Sequence, residues 1–427
     1  MAPEPEPDMQ NITRTILLIA FTVLGLATLA PAQIAVRGKV IHTMAGDAIE
    51  NGTILIRDGK IAAIGAGDDI TVPEDFKVIE AEIVTPGLVD AHSVVGLTGM
   101  LNQDQDQDQL EHSSPIQPAL RAIDAYNGRD ELIDWIRSFG VTTVHTGHAP
   151  GELISGQTMV VKTTGGTLDE SVLIPTRALA TTLSTRARKS GKESPGTRAK
   201  MLQMLRAKLI AAQEYRQKRK PKQDLGQSDE DDDKKEKDPP SRDLNKEALA
   251  EVLNGKTPLL ITAHRAQDIT NALRLAKEFE FKLWLDGAAE SYLLIDEIKA
   301  AKVPVILHPS MARATGDLEN SSFETASKLV AAGIPVGMQS GYEAYVPKTR
   351  VVLFEAALTA ANGLTFDQAL ATITIEAAKI LDVQDRVGSI EVGKDGDLAL
   401  YDGDPFEYTT HCVGTIIDGK MVSESER

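Results

Sequence analysis

At 427 residues the chain can bury a large core, and one barrel of ordinary size with a small second domain accounts for its length. Its net charge of −17 argues against nucleic acid as a partner, because a phosphate backbone needs a basic face. A single cysteine, Cys412, excludes an internal disulfide and a cysteine-based metal site.

The first element in chain order is an apolar run, Ile16 to Ala30, preceded by Arg14 and followed by Pro31-Ala32-Gln33. It is short for a bilayer span, and Ala30-Pro31-Ala32 fits a small-x-small cleavage site. The expectation is a secretory signal over 1–32 and a mature chain exported to the periplasm or the medium, with no stable membrane span. A retained anchor is the competing reading, since the residues before Arg14 are acidic rather than basic.

From Ile34 to Ile83 short aliphatic runs alternate with turns, and Asp58-Gly59 between two of them is a hairpin signal. The C-terminus repeats the style in Gly388–Lys394, Asp397–Tyr401 and Thr415–Val422. A small composite β domain built from 33–85 and 382–427 would therefore enclose the middle, 86–381, as a separate unit.

The middle alternates strand and helix patterns, which argues for parallel strands with helical crossovers. Val141–His145, Leu259–His264, Phe281–Asp286, Val303–His308 and Ile334–Ser340 read as strands, with helical stretches such as Asp268 to Phe279 beside them. Aromatic residues are only 4% of the chain, and the aliphatic runs suit strands buried on both faces. The regular βα units favour an α/β fold with a (β/α)8 TIM-like barrel. No glycine-rich nucleotide fingerprint follows any strand, which lowers a doubly wound alternative. Between about 186 and 243 the composition changes to a long basic helix-like run, Lys200 to Lys222, and then to Ser228–Pro240, too charged to fold alone; this reads as a partly disordered insertion.

The stretch Thr85-Pro86-Gly87-Leu88-Val89-Asp90-Ala91-His92 reads as an apolar strand delivering a histidine to its C-terminal tip, where a barrel builds its site. With Gly388-Ser389-Ile390-Glu391-Val392-Gly393-Lys394 and Thr262-Ala263-His264-Arg265, it resembles the amidohydrolase superfamily, particularly imidazolonepropionase-like and prolidase-like members. The resemblance implies a metal-dependent hydrolase of non-peptide or cyclic C–N bonds, acting on a small molecule, with His92 and His264 as metal ligands. It also implies a His-x-His pair, a final histidine on the sixth strand and an aspartate after the eighth. Here those places hold Val94, Asp286 and Gly341, with Ser340 next to the last, so a depleted site is expected.

Five histidines, His92, His145, His148, His264 and His308, fall at or just beyond strand ends that share one face in a parallel barrel. His308, Asp286, His145 and His148 are the further candidate ligands, and Lys162 is the candidate for a bridging carbamylated lysine. Asp286, Glu290 and Glu343 are candidate general bases by position. The expected cofactor is one divalent ion, zinc foremost, or none. Two readings stay open: a C–N hydrolase with a reduced site, and a non-catalytic binding or assembly subunit that forms an oligomer or pairs with an active relative.

Overall fold

Strands β1 (Ile34–Ile41), β2 (Ile49–Arg57), β3 (Lys60–Ala66) and β4 (Lys77–Pro86) arise where aliphatic residues lie between turn signals. This computed structural model describes residues 33–191, 194–219, 240–310, 312–342 and 351–424. Asp58 and Gly59 close β2 onto β3 with φ of 51° and 76°, the left-handed pair that a two-residue hairpin demands.

Past Gly87 the chain enters β5 (Leu88–Ser93), β6 (Val141–Thr146), β7 (Ile154–Gln157), β8 (Met159–Lys162), β9 (Val172–Ile174) and β10 (Leu179–Thr182). Then come β11 (Leu259–Ala263), β12 (Leu283–Gly287), β13 (Val305–Leu307), β14 (Val336–Met338), β15 (Leu398–Tyr401), β16 (Cys412–Ile417) and β17 (Lys420–Glu424).

The two ends of the chain share one seven-stranded sheet, ordered β17-β16-β15-β4-β1-β2-β3. Its central seam is the antiparallel pairing of β15 with β4, so C-terminal residues complete a sheet begun at the N-terminus. Ile34, Val36, Ile54, Ile56, Leu398 and Ile416 form part of its buried core. Strand β4 runs straight on through Gly87 into β5, which ties this sheet to the middle of the chain.

The middle strands form a six-stranded sheet, β14-β13-β12-β11-β10-β7, and a four-stranded sheet, β5-β6-β8-β9. β10 through β14 run parallel, and so do β5 and β6. The two sheets meet at two edges. At one, the Gly341 N–H donates to His92 O at 3.3 Å beside a Ser93–Gly341 bridge; at the other, the Thr158 N–H donates to Ala178 O at 2.8 Å. The result is a mixed α/β fold consistent with a barrel, although the ladder is not closed into one continuous sheet. The reason is local. β7 and β8 are one antiparallel excursion split at Thr158, with β7 pairing to β10 and β8 pairing to β6. A side-chain cluster of Val89, Ala91, Val160, Leu260, Trp284 and Ile306 packs between the sheets and against Ala377, Ala378 and Leu381 of the Ile375–Leu381 helix.

The basic run inside the expected insertion is a helix, Arg198–Arg219. Met201, Leu205, Leu209, Ala212 and Tyr215 recur at three- and four-residue steps and are buried, while the charged positions between them face outward. The charged run up to residue 239 and the apolar leader 1–32 lie outside the described residues. Among the described residues no helix is long and apolar enough to cross a membrane.

Candidate active site

The C-terminal ends of β5, β6, β11, β12 and β13 bring His92, His145, His264, Asp286 and His308 to one side of the middle sheets, and all five are buried. Alternation explains the aim of two strands. Leu260 and Trp284 point into the inner cluster, so Thr262, His264 and Asp286, two and four residues further on, follow the same face. On β5 the pairing to β6 slips by a residue between Asp90 and Ser93, a bulge that re-aims the strand end carrying His92.

Asp286 is the hub. The His92 Nδ1–H donates to Asp286 Oδ1 at 2.8 Å, Gln339 Nε2 donates to the same oxygen at 2.9 Å, and the Thr262 hydroxyl donates to Oδ2 at 2.5 Å. Burial alone would raise the Asp286 carboxyl, but the His92 imidazole and these three bonds outweigh it and hold the group below the usual carboxylate range. The bond to Nδ1 fixes the His92 ring and leaves its Nε2 buried with no hydrogen-bond partner.

His145 lies beside His92 with ring centroids 5.5 Å apart, and its two nitrogens are spent on Ala91 O and the Thr158 hydroxyl, each at 2.7 Å. Burial, helped by the neighbouring His92, pushes it down to about 3 and keeps it neutral. His264 approaches the Tyr342 hydroxyl through Nε2 at 3.3 Å, while its Nδ1 is buried without a partner; burial pushes it down to about 4. Gly287 adopts φ of 75°, and a Cβ there would fall 2.4 Å from the His264 ring, so only glycine lets the imidazole lie against the end of β12. His264, His308 and Tyr342 line a cavity of about 250 Å³ together with Thr185, Arg186 and Asp317.

Asp90, which the sequence reading gave no role, is a second buried carboxylate. It accepts from the backbone and hydroxyl of Ser340 and so fastens β5 to the end of β14. Burial pushes it up to about 6 against the pull of those bonds.

The Amidohydrolase family model matches residues 299–423. Amidohydrolase tasK of Hapsidospora irregularis is 26% identical over 408 residues, covering 87% of this chain but only 39% of that protein. The imidazolonepropionase of Streptococcus pyogenes serotype M6 is 23% identical over 406 residues, 86% of this chain and 87% of that one. The crystal structure of an amidohydrolase from Thermotoga maritima MSB8 superposes with a TM-score of 0.81 at 26% identity, covering 92% of this chain and all of that one. Together these similarities support the amidohydrolase superfamily.

Within this chain, several residues expected at the site do other work. Lys162 is not at the site. β8 runs antiparallel to β6, so Lys162 pairs with Thr143 near the opposite end from His145 and is ion-paired to Asp395, Asp397 and Asp418 at 2.6–2.8 Å. Glu290 is buried but committed as a helix cap: it accepts from the Ala266 N–H at 2.6 Å and from Asn320 Nδ2 at 2.7 Å, which takes it out of the role of free base. His148 sits on the loop after β6, buried against Gly156, with neither nitrogen hydrogen-bonded, and burial pushes it down to about 4. Glu343 lies outside the described residues.

Val94 packs in an apolar cluster with Ala149, Tyr342 and Leu110. Among the described residues no group of three or more His, Cys, Asp or Glu side chains stands in a metal-holding arrangement. The donor set fits the two-ion centre poorly: Val94 offers no donor, both His145 nitrogens are spent, and Asp286 is engaged through both oxygens. Thr262, Gln339 and Tyr342 were not anticipated. A signal existed for Thr262, which precedes His264 by two residues on the same strand face.

Proposed function

We propose that this protein is a hydrolase of C–N bonds in small molecules, cyclic or otherwise outside ordinary peptides, working through a reduced centre with at most one divalent ion. The observation that carries the reading is the pair of buried imidazole nitrogens left without hydrogen bonds, His92 Nε2 and His264 Nδ1, with the His264 ring lining a cavity. Unsatisfied buried polar atoms cost stability, and they persist where a ligand, substrate or ion completes them. Asp286 orients His92, so that its Nε2 presents a lone pair to whatever binds. If one ion is held there, His92 and His264 are the side chains that would hold it, and it would polarise the scissile carbonyl.

A second reading, a non-catalytic subunit that binds a small molecule, is favoured by the His145 bonds and the closed network around Asp286. Metal analysis of the purified protein, followed by turnover assays on N-acyl amino acids, prolyl dipeptides and cyclic amides, separates the two. Turnover lost in Asp286→Ala and His264→Ala supports the hydrolase. Saturable binding without turnover, at any divalent ion tried, supports the subunit.

A further inference from the structure

On the side of the middle sheets opposite the candidate site, the Ala266–Phe279 and Ile295–Ala301 helices diverge where β12 and β13 begin. Between them lies a groove of about 910 Å³. Its walls are apolar, with Leu273, Phe281, Leu283, Trp284, Val303 and Pro304 among them. That volume, with mostly apolar walls, is in the range of small-molecule sites, roughly 300–1,000 Å³. The rim is basic: Arg274, Lys277, Lys282 and Lys302 stand around it against the single acid Glu297. None of the four cations has an ion-pair partner among the described residues. On a chain of net charge −17, a local excess of three positive charges around an apolar slot is a departure from the rest of the surface.

We propose that this groove is a binding site for an anionic amphiphile, a small molecule with an apolar body and a carboxylate or phosphate head. The body lies along Phe281, Leu283 and Val303, where it removes apolar surface from water, and the head meets the ammonium and guanidinium groups at the rim. Charge complementarity selects this occupant. A second copy docking through this same face would set two basic rims against each other, and a neutral ligand would leave the four cations unused.

The groove is also wired to the candidate site through one side chain. Trp284 lines the groove, and its ring packs edge-on against His145 at 6.0 Å, while Asp286 lies two residues along the same strand face. Arg177 covers the Trp284 ring at 4.8 Å. An occupant touching Trp284 therefore touches a neighbour of the histidine cluster.

The test uses the full chain with Trp135→Phe, which leaves Trp284 as the sole tryptophan. Dodecanoate, dodecyl phosphate, dodecanol and dodecyltrimethylammonium, each below its micellar concentration, are titrated while Trp284 emission is followed. The expected result is a saturable change with the two anions and binding at least about tenfold weaker with the neutral and cationic probes. Lys282→Glu with Lys302→Glu, both exposed positions, should weaken the anions by a similar factor, and Ala301→Phe, which fills the slot from an exposed helix position without adding a second tryptophan, should abolish the change. Equal binding of all four probes, no saturable change with either anion, or a charge-reversed pair that binds dodecanoate as well as before would overturn the proposal. So would sedimentation showing the groove closed in a dimer that Ala301→Phe dissociates.

Discussion

The carboxylate of Asp286 reaches from β12 to hold the Nδ1–H of His92 at 2.8 Å, so the strand expected to give a metal ligand instead gives the histidine its orientation. Both side chains are fully buried, and the same carboxylate gathers Thr262 and Gln339 from β11 and the end of β14. Three strands and the first histidine thus depend on one acid. Asp286→Ala leaves three donors unmet in the interior and is expected to cost about 3–5 kcal/mol. Asp286→Asn, which keeps an acceptor for His92, should cost about 1 kcal/mol. Urea unfolding measures both, and equal costs for the two variants would show that the network does not carry the strand ends.

Gly287 supplies a second test of how the site is built. Any side chain there needs a left-handed backbone at φ of 75° and meets the His264 ring. Gly287→Ala should cost about 1–3 kcal/mol and displace the His264 imidazole from the cavity wall. The ring displacement is read from histidine Cε1 proton shifts, with Gly255→Ala, also at positive φ but 3.9 Å or more from its neighbours, as the strain-only control. An unshifted His264 signal would refute the packing argument.

The sequence carries much of the fold in local signals. Asp58-Gly59 makes the hairpin it reads as, and the aliphatic runs at the two ends meet as β4 and β15. The parallel strands β10 to β14 follow from their aliphatic runs and helical crossovers. What was not legible depends on register. That Thr262 stands opposite Asp286, and that β8 runs back against β6 and carries Lys162 away from the histidines, are facts of pairing between distant strands. The Arg198–Arg219 helix, by contrast, matches the helix-like run read from Lys200 to Lys222 within two to three residues at each end, and its apolar residues at three- and four-residue steps are the ones that are buried.

Lys162 ties the terminal sheet to the middle of the chain, with Lys60 and Arg386 sharing Asp395. Burial would raise Asp395, but Lys162 beside it and bonds from Lys162, Lys60 and Arg386 hold it down at about 2. Its contribution to stability is therefore present above the ordinary carboxylate pKa of 3.8 and lost as pH falls toward 2. Asp397, fully buried and pushed up to about 6, acts in the opposite sense: ionising it costs stability as pH rises from 3.8 through 6. Lys162→Met removes the cation both depend on. The variant should lie closest to the parent near pH 4–5, where the carboxyls can take up protons, and fall furthest behind at pH 8, by about 3–5 kcal/mol. Melting temperatures across that range decide it, and a penalty independent of pH would sink the account.

Metal content is the sharpest check on the centre itself. A second ion would need donors at Val94 and Gly341, and the packing of one and the backbone of the other oppose them. Val94 is buried among Ala149, Leu110 and Tyr342, and Gly341 adopts φ of 100°, which an aspartate takes up only with strain. The purified protein should therefore hold no more than one divalent ion per chain, measured by elemental analysis without added metal. If one is held, His92→Ala and His264→Ala should each abolish it, because a single remaining donor leaves too few ligands for a tight site. Val94→His with Gly341→Asp should not restore a second ion, and should cost about 1–3 kcal/mol from overpacking alone. Two tightly held ions in the unmodified chain would overturn the reduced centre, because the second ion would have to draw its donors from groups such as Asp286 and His145 that the network now engages.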